Sequence, residues 1–225
     1  MSHDLRTPLN AISGFVELLE IGVHGPLNEA QQKALARISA SQRHLLTLIN
    51  DILSFARLEA GRIEFDLRPL SAREVLEGVE ELVAPLAAAK GVAFAAERCA
   101  EGLRFTGDVD RVRQVLLNLA GNAIKFTQPG AGVVLACEAD PEWLLLRVRD
   151  EGIGIPPDEL ERIFDPFQQV GRRLNQPQEG VGLGLAISRD LARAMGGELS
   201  VRSTPGEGSV FTLHLPRTAN AGAGP

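Results

Sequence analysis

No stretch of the chain approaches the ~18 consecutive apolar residues that a membrane-spanning helix needs. The N-terminus also lacks the basic-then-apolar order of a secretory signal. Any membrane anchor is therefore expected outside this chain, and a cytoplasmic location is expected for the chain itself. Cysteine is scarce: Cys99 and Cys137 stand far apart, in no C-x-x-C pair. That pattern gives no indication of zinc or a disulfide framework and predicts two reduced structural thiols. There is no Lys/Arg run, and 29 acidic residues outnumber 23 basic ones for a net charge of −6. The electrostatic basis for nucleic-acid binding is thus missing. No G-x-x-x-x-G-K-[ST] phosphate loop occurs, and no internal repeat.

What is present is ordinary globular material: 225 residues, 44% hydrophobic and 23% charged, enough for one large domain or two small ones. Leu5, Leu9, Ile12, Val16 and Leu19 follow a 4-3-4-3 spacing, the seam of a heptad helix, which Gly22 and Gly25-Pro26 stop. Asn28 and Gln31 then form a capping box for a second helix. Along it Ile38, Leu45 and Ile52 recur every seven residues, as do Leu48 and Phe55, until Gly61. Two long helices and a short loop make an antiparallel hairpin, and one hairpin cannot bury such a seam alone. Two copies forming a four-helix bundle are expected to do so.

Beyond Gly61 the period changes. Ile63, Phe65 and Leu67 alternate with Glu64, Asp66 and Arg68, predicting a half-buried strand. Ser71 and Glu74 cap a helix to about Lys90, strands follow near Val92–Ala96 and Leu103–Phe105, and Asp108 or Asp110 starts a helix through Phe126. Val133–Glu138 and Trp143–Arg149 read as paired strands. A Gly-, Pro- and Gln-rich stretch contains one short helix near Asp158–Phe164, then come a helix over Leu183–Met195 and strands Glu198–Ser203 and Ser209–Leu215. The predicted organisation is a helical hairpin over residues 1–61, an α+β domain over 62–217 and a disordered tail over 218–225.

Three clusters bear on chemistry. Asn118, Asn122 and Lys125 share one face of a helix, and amide oxygens are hard ligands suited to Mg²⁺, which shares its sites with phosphates. Alternatively they are a solvated polar face. Asp150, at a strand end and followed by Gly152 and Gly154, offers a carboxylate to an adenine amino group or merely caps a turn. Gly180-Val181-Gly182-Leu183-Gly184-Leu185 opens a helix, where amide donors and the helix dipole favour an anion. With Leu185 in the sixth position it is no G-x-G-x-x-G motif, and a lid hinge is the other reading.

In this order the stretches NLAGNAIKFT, DEGIGIP, IFDPFQQV and GVGLGLAIS resemble the N, G1, F and G2 boxes of the GHKL ATP-binding fold. That fold is shared by gyrase-type, chaperone, mismatch-repair and histidine-kinase ATPases. Ser2-His3-Asp4-Leu5-Arg6-Thr7-Pro8-Leu9 resembles the H box of dimerising histidine-phosphotransfer domains. The resemblance covers about residues 1–216 and implies a sensor histidine kinase catalytic core: a dimeric four-helix bundle followed by a GHKL (Bergerat-type) α/β sandwich. It implies ATP and Mg²⁺ as cofactors, with Asn118 and Asn122 on the metal, Lys125 on a phosphate, Asp150 on adenine, Phe126 beside the base and the glycines at 152, 154, 180, 182 and 184, with Leu185, around the nucleotide.

Phe164 and Phe167 resemble the anchors of a lid spanning roughly 168–181, within which Arg172 and Arg173 are able to approach the γ-phosphate or stand as solvated loop. Val181 departs from the family, which often carries Thr there, so one hydroxyl contact is missing. The resemblance makes His3 the phosphoacceptor, with Asp4 holding its Nδ1 proton and Thr7 placing water for dephosphorylation of a partner. The phosphoryl group is expected to pass to an aspartate of a separate response-regulator receiver domain, since no receiver pattern lies in this chain. Two further readings stay open: an ATP-binding dimeric scaffold, and a phosphatase-dominant sensor. Because His3 stands so near the start, an upstream sensor and upstream helical turns are expected outside the chain.

Overall fold

The computed structural model describes residues 2–61, 63–168 and 182–218; the side chains of residues 2–6, 44, 51 and 59 also lie outside the description. Helix α1 (Ser2–Glu20) and helix α2 (Glu29–Glu59) form the expected hairpin. The Asn28 side chain accepts from the Gln31 N–H at 2.9 Å, and the Gln31 side chain returns the bond at 2.9 Å, closing the capping box. The seam, however, divides in two. Leu9, Val16 and Leu35 are buried between the helices, and the buried Gln42 side chain donates to the Leu9 carbonyl at 3.2 Å. Ile12, Phe15, Ile38, Leu45 and Ile52 remain exposed, Phe15 at 67%. A helix with apolar residues on more than one stripe serves two contacts, and one chain supplies only one of them.

The strand expected over 63–68 is not formed. Strand β1 is Arg68–Ser71, because its antiparallel partner β3 (Arg104–Gly107) ends opposite Arg68 and offers nothing to residues 63–67. The Asp66 N–H instead donates to the Asp108 carboxylate at 3.1 Å. Helix α3 (Ala72–Lys90) starts at Ser71 and stops at Gly91, whose φ of 72° is a left-handed cap. Asp108 is the N-cap of α4 (Val109–Phe126), resolving the Asp108/Asp110 alternative: its side chain accepts from the N–H groups of Asp110 and Arg111.

Strands β2 (Ala93–Ala96), β4 (Gly132–Ala139), β5 (Trp143–Asp150), β7 (Gly208–Pro216) and β6 (Glu198–Thr204) lie side by side in that order. The β2–β4 pair is parallel and the others antiparallel. Residues 135, 144, 146, 148, 213 and 215 point from one face into a core completed by α3, α4 and α5 (Gly184–Ala194). Leu116 and Leu119 of α4 are wholly buried there, each contributing about 2 kcal/mol. The single short helix expected at 158–164 is two 3₁₀ turns, Pro157–Glu159 and Arg162–Phe164.

Two expectations are corrected by long-range contacts. Cys99 and Cys137 are not separate thiols but a disulfide, with Cα atoms 5.6 Å apart. The ladder runs on past β2, the Glu97 N–H donating to the Leu135 carbonyl, and so carries Cys99 to the flank of β4. Thr218 does not belong to a free tail: its N–H donates to the Arg104 carbonyl and its hydroxyl meets that of Thr106 at 3.1 Å. Residues 219–225 lie outside the described part. No helix among the described residues is long and apolar enough to cross a membrane.

Candidate nucleotide site

Helix α4 brings its polar face against the start of α5. The Asn118 side-chain amide donates to Ser188 Oγ at 2.9 Å, and Ser188 is buried. This bond fixes the amide, leaving Asn118 Oδ1 to face Gly184. A Cβ on Gly184 would overlap that oxygen and stand 3.0 Å from Cγ, so any larger residue there displaces the Asn118 amide. Asn122 follows one turn later, and Lys125 Nζ lies 5.3 Å above the Phe126 ring. Lys90 Nζ donates to the carbonyls of Ile124 and Lys125, satisfying groups that the helix end leaves open.

Asp150 lies beside the C-terminal end of α4. It ends β5, is 6% exposed, and accepts at Oδ1 from the Gly152 N–H at 2.9 Å. Burial pushes its carboxyl above the ordinary range, opposed by bonds from the backbone N–H groups of Gly152 and Ser209. Gly152 joins this wall to α4, since a Cβ there would lie 2.8 Å from the Phe126 carbonyl oxygen. The loop after Asp150 is held by the β6–β7 turn: the Gly206 N–H donates to the Ile153 carbonyl at 2.8 Å, and the Ile155 N–H to Ser203 Oγ at 2.8 Å. Gly154, at φ 66°, lies flat against the Thr204 carbonyl.

The raised pKa has a testable sign. Where an aspartate's folded pKa lies above its ordinary 3.8, its ionised form weakens the fold. That penalty is absent below the ordinary pKa and complete above the raised one. Asp150→Asn is therefore expected to melt higher than the unaltered chain at pH 7, the gap closing as pH falls through the raised pKa. The same variant loses one acceptor and is expected to bind ATP about tenfold more weakly, measured by calorimetry beside the melts.

The two lid-anchor phenylalanines differ. Phe164 is buried, with the Arg189 guanidinium 5.1 Å over its ring and Arg189 Nη2 donating to its carbonyl at 3.2 Å. Phe167 is 60% exposed and holds φ 66°, uncommon for a bulky residue. Its N–H donates to the Gly182 carbonyl at 3.0 Å, and its ring meets Phe55 of α2 edge-on at 6.3 Å. Leu185 packs against the core, as does Phe55. Gly180, Val181, Arg172 and Arg173 lie outside the described residues, and so do the side chains of His3 and Asp4, whose backbone belongs to α1. Thr7, also on α1, is solvent-exposed.

Of the expected site residues, Asn118 thus meets Gly184, Lys125 stands over Phe126, and the Phe126 carbonyl and Asp150 both meet Gly152; Asn122 shares the α4 helix with them. Ser188, Arg189, Lys90, Ser203 and Ser209 bond to these residues or to their neighbours, and none of them was expected at a site. Ser188 lies four residues after Gly184 on the same helical face, and Ser209 stands opposite Asp150 in the sheet. Those two placements are the signals that would have found them. Among the described residues no group of three or more His, Cys, Asp or Glu side chains is placed to hold a metal ion. Two amides fit a Mg²⁺ that draws most of its ligands from phosphates and water.

Residues 107–219 match the family model described as "Histidine kinase-, DNA gyrase B-, and HSP90-like ATPase", and residues 1–61 match "His Kinase A (phospho-acceptor) domain". A sensor-like histidine kinase of Rhizobium meliloti (strain 1021) is 38% identical over 224 residues, 99% of this chain and 43% of that protein. The sensor protein GacS of Pseudomonas syringae pv. syringae is 40% identical over 224 residues, 96% of this chain and 24% of that protein. Full-length ShkA, solved in complex with AMPPNP, superposes with a TM-score of 0.81 at 39% identity, covering 98% of this chain and 45% of that one. The chain therefore spans less than half the length of these relatives.

Proposed function

This chain belongs to the histidine kinases, carrying the phospho-acceptor and ATPase-type regions of that family in tandem, and on that premise we propose that it binds ATP with Mg²⁺ and phosphorylates its own His3. The phosphoryl group then passes to an aspartate on the receiver domain of a separate response regulator. Residues 1–61 act as the dimerisation and phosphotransfer hairpin, and residues 62–217 as the catalytic domain. The observation that carries this reading is the Asn118 amide. Ser188 holds it on one side and Gly184 leaves room for it on the other, while a buried Asp150 stands beside the C-terminal end of the same helix.

Each residue has one task. Asp150 accepts the adenine amino group, and Phe126 lies beside the base. Lys125 and the first N–H groups of α5 neutralise phosphate oxygens, since a helix start attracts anions. Asn118 and Asn122 supply amide oxygens to Mg²⁺, which when bound offsets charge on the β- and γ-phosphates. The glycines at 180 and 182 frame the lid. His3, on α1, attacks in its neutral form: a P–N bond forms at the imidazole, the bond to ADP oxygen breaks, and the ring proton leaves towards Asp4. The exposed apolar stripe of Phe15, Ile38, Leu45 and Ile52 supports a homodimer through the hairpin.

The test is incubation with γ-labelled ATP and Mg²⁺. Protein-bound label that survives base and is lost in acid is the expected outcome. Acid-stable label, or nucleotide binding with no label at all, would overturn the kinase reading and leave an ATP-binding scaffold.

A further inference from the structure

We propose that Lys90, the last residue of α3, is a positioning residue for the phosphate contact of Lys125, an inference that rests on the nucleotide site proposed above. The two lysines belong to different helices and stand 35 positions apart. The Lys90 ammonium donates to the Ile124 carbonyl at 2.7 Å and to the Lys125 carbonyl as well. Those carbonyls belong to the two peptide units on either side of the Lys125 Cα. Each unit is a rigid plane, so holding both holds the φ and ψ of Lys125. The direction in which its side chain leaves the helix is held with them.

This turn of α4 needs an outside hold. The Ala123 carbonyl accepts from the Thr127 N–H at 3.0 Å, and the carbonyls of Ile124 and Lys125 come after it. Thr127 is extended, with ψ 137°, so the helix brings no later N–H round to meet them. The N–H groups of Lys125 and Phe126 point back into the helix; the carbonyl sides of the same two units are left to Lys90. Its ammonium offers more than one donor, and its charge faces the negative end of the α4 dipole. The chain beyond is tied separately, the Gly130 N–H donating to the Gly91 carbonyl at 2.8 Å.

Without the ammonium, both carbonyls turn to water and the last turn of α4 loosens where Lys125 stands over Phe126. Lys125 Nζ then spreads over more directions and meets a phosphate oxygen for less of the time. Asn118 lies about two turns earlier and is held by Ser188, so its place is unaffected. The loss is thus confined to what Lys125 contributes.

The experiment is a double-mutant cycle on the full chain, read by calorimetric titration with ATP and Mg²⁺ below the melting temperature of the least stable variant. Lys125→Met is expected to weaken ATP binding about tenfold and Lys90→Met about fivefold. In the Lys125→Met background, Lys90→Met is expected to cost nothing further, because the group it positions is gone. Lys90→Arg keeps the charge and the donors and is expected to return most of the affinity. A lysine that merely stabilises the domain lowers affinity by the same factor in both backgrounds, and that result overturns the inference. So does full affinity in Lys90→Met, or a loss in Lys90→Arg as large as in Lys90→Met; all three leave the nucleotide site standing. Full affinity in Lys125→Met, or no ATP binding by the unaltered chain, overturns the proposed phosphate contact and this inference with it.

Discussion

A chain carrying His3→Gln is expected to take up no label from γ-labelled ATP while binding the nucleotide as tightly as the unaltered protein. Glutamine is polar and a comparable or better helix former than histidine, so α1 tolerates it. It has no ring nitrogen that can attack phosphorus. The proposed nucleotide-binding residues come from α4, the end of β5, α5 and the glycines at 180 and 182, and none comes from α1, so affinity is expected to persist. Pro8 adds a local reason for reactivity at this turn of the helix: lacking an N–H, it leaves the Asp4 carbonyl without its helical partner beside His3. Label retained in His3→Gln would move the acceptor to another histidine and sink the assignment. His214 is a poor candidate, being half-buried in β7 with its Nε2 bonded to Ser200 Oγ at 2.9 Å.

Local rules carried most of the fold. The capping box at Asn28 and Gln31, the Asp108 cap and the stops at Gly61 and Gly91 depend on residues within four positions of one another, and such signals survive in any tertiary setting. What escaped depends on partners far along the chain. The alternation at 63–68 looked like a strand, yet a strand needs a neighbour, and β3 reaches only as far as Arg68. The disulfide follows from β2 lying parallel to β4, a pairing that no spacing of two cysteines reveals. The hairpin seam was legible as a heptad, but the division between Leu9, Val16 and Leu35 inside and Ile38, Leu45 and Ile52 outside is a matter of which stripe faces α1.

The site shows the same division. Asn118, Asn122 and Lys125 were visible because helical spacing puts them on one face, and Asp150 because a strand ends there. Ser188, Ser203 and Ser209 are the commonest kind of surface residue by type. They gain a role only when α5 packs on α4 and the β6–β7 turn folds over the loop after Asp150. Residues proposed to bind were thus easier to read than residues that hold them in place, because the latter act through contacts far along the chain, 48 positions for Ser203 with Ile155 and 70 for Ser188 with Asn118.

Gly184→Ala is expected to separate nucleotide binding from stability most sharply. Gly184 is the first residue of α5 and is not among the glycines with positive φ, so alanine fits its backbone. Exchange of glycine for alanine in a helix gains up to about 1 kcal/mol, which roughly offsets the about 1 kcal/mol lost with the Asn118–Ser188 bond, so the variant should melt close to the unaltered chain. The new Cβ nevertheless overlaps Asn118 Oδ1. Being a side chain, Asn118 can swing away, but doing so breaks its 2.9 Å bond to Ser188 and withdraws the oxygen proposed for Mg²⁺. ATP affinity and label uptake are expected to fall on the order of 100-fold, about 2.7 kcal/mol. Ser188→Ala, which frees the amide without obstructing it, should lose only about fivefold, the scale of one neutral hydrogen bond. Calorimetric titration with ATP and Mg²⁺, set beside thermal melts, decides the matter. Full affinity in Gly184→Ala would remove Asn118 from the site, and a large drop in melting temperature would make Gly184 a packing residue rather than a clearance for the amide.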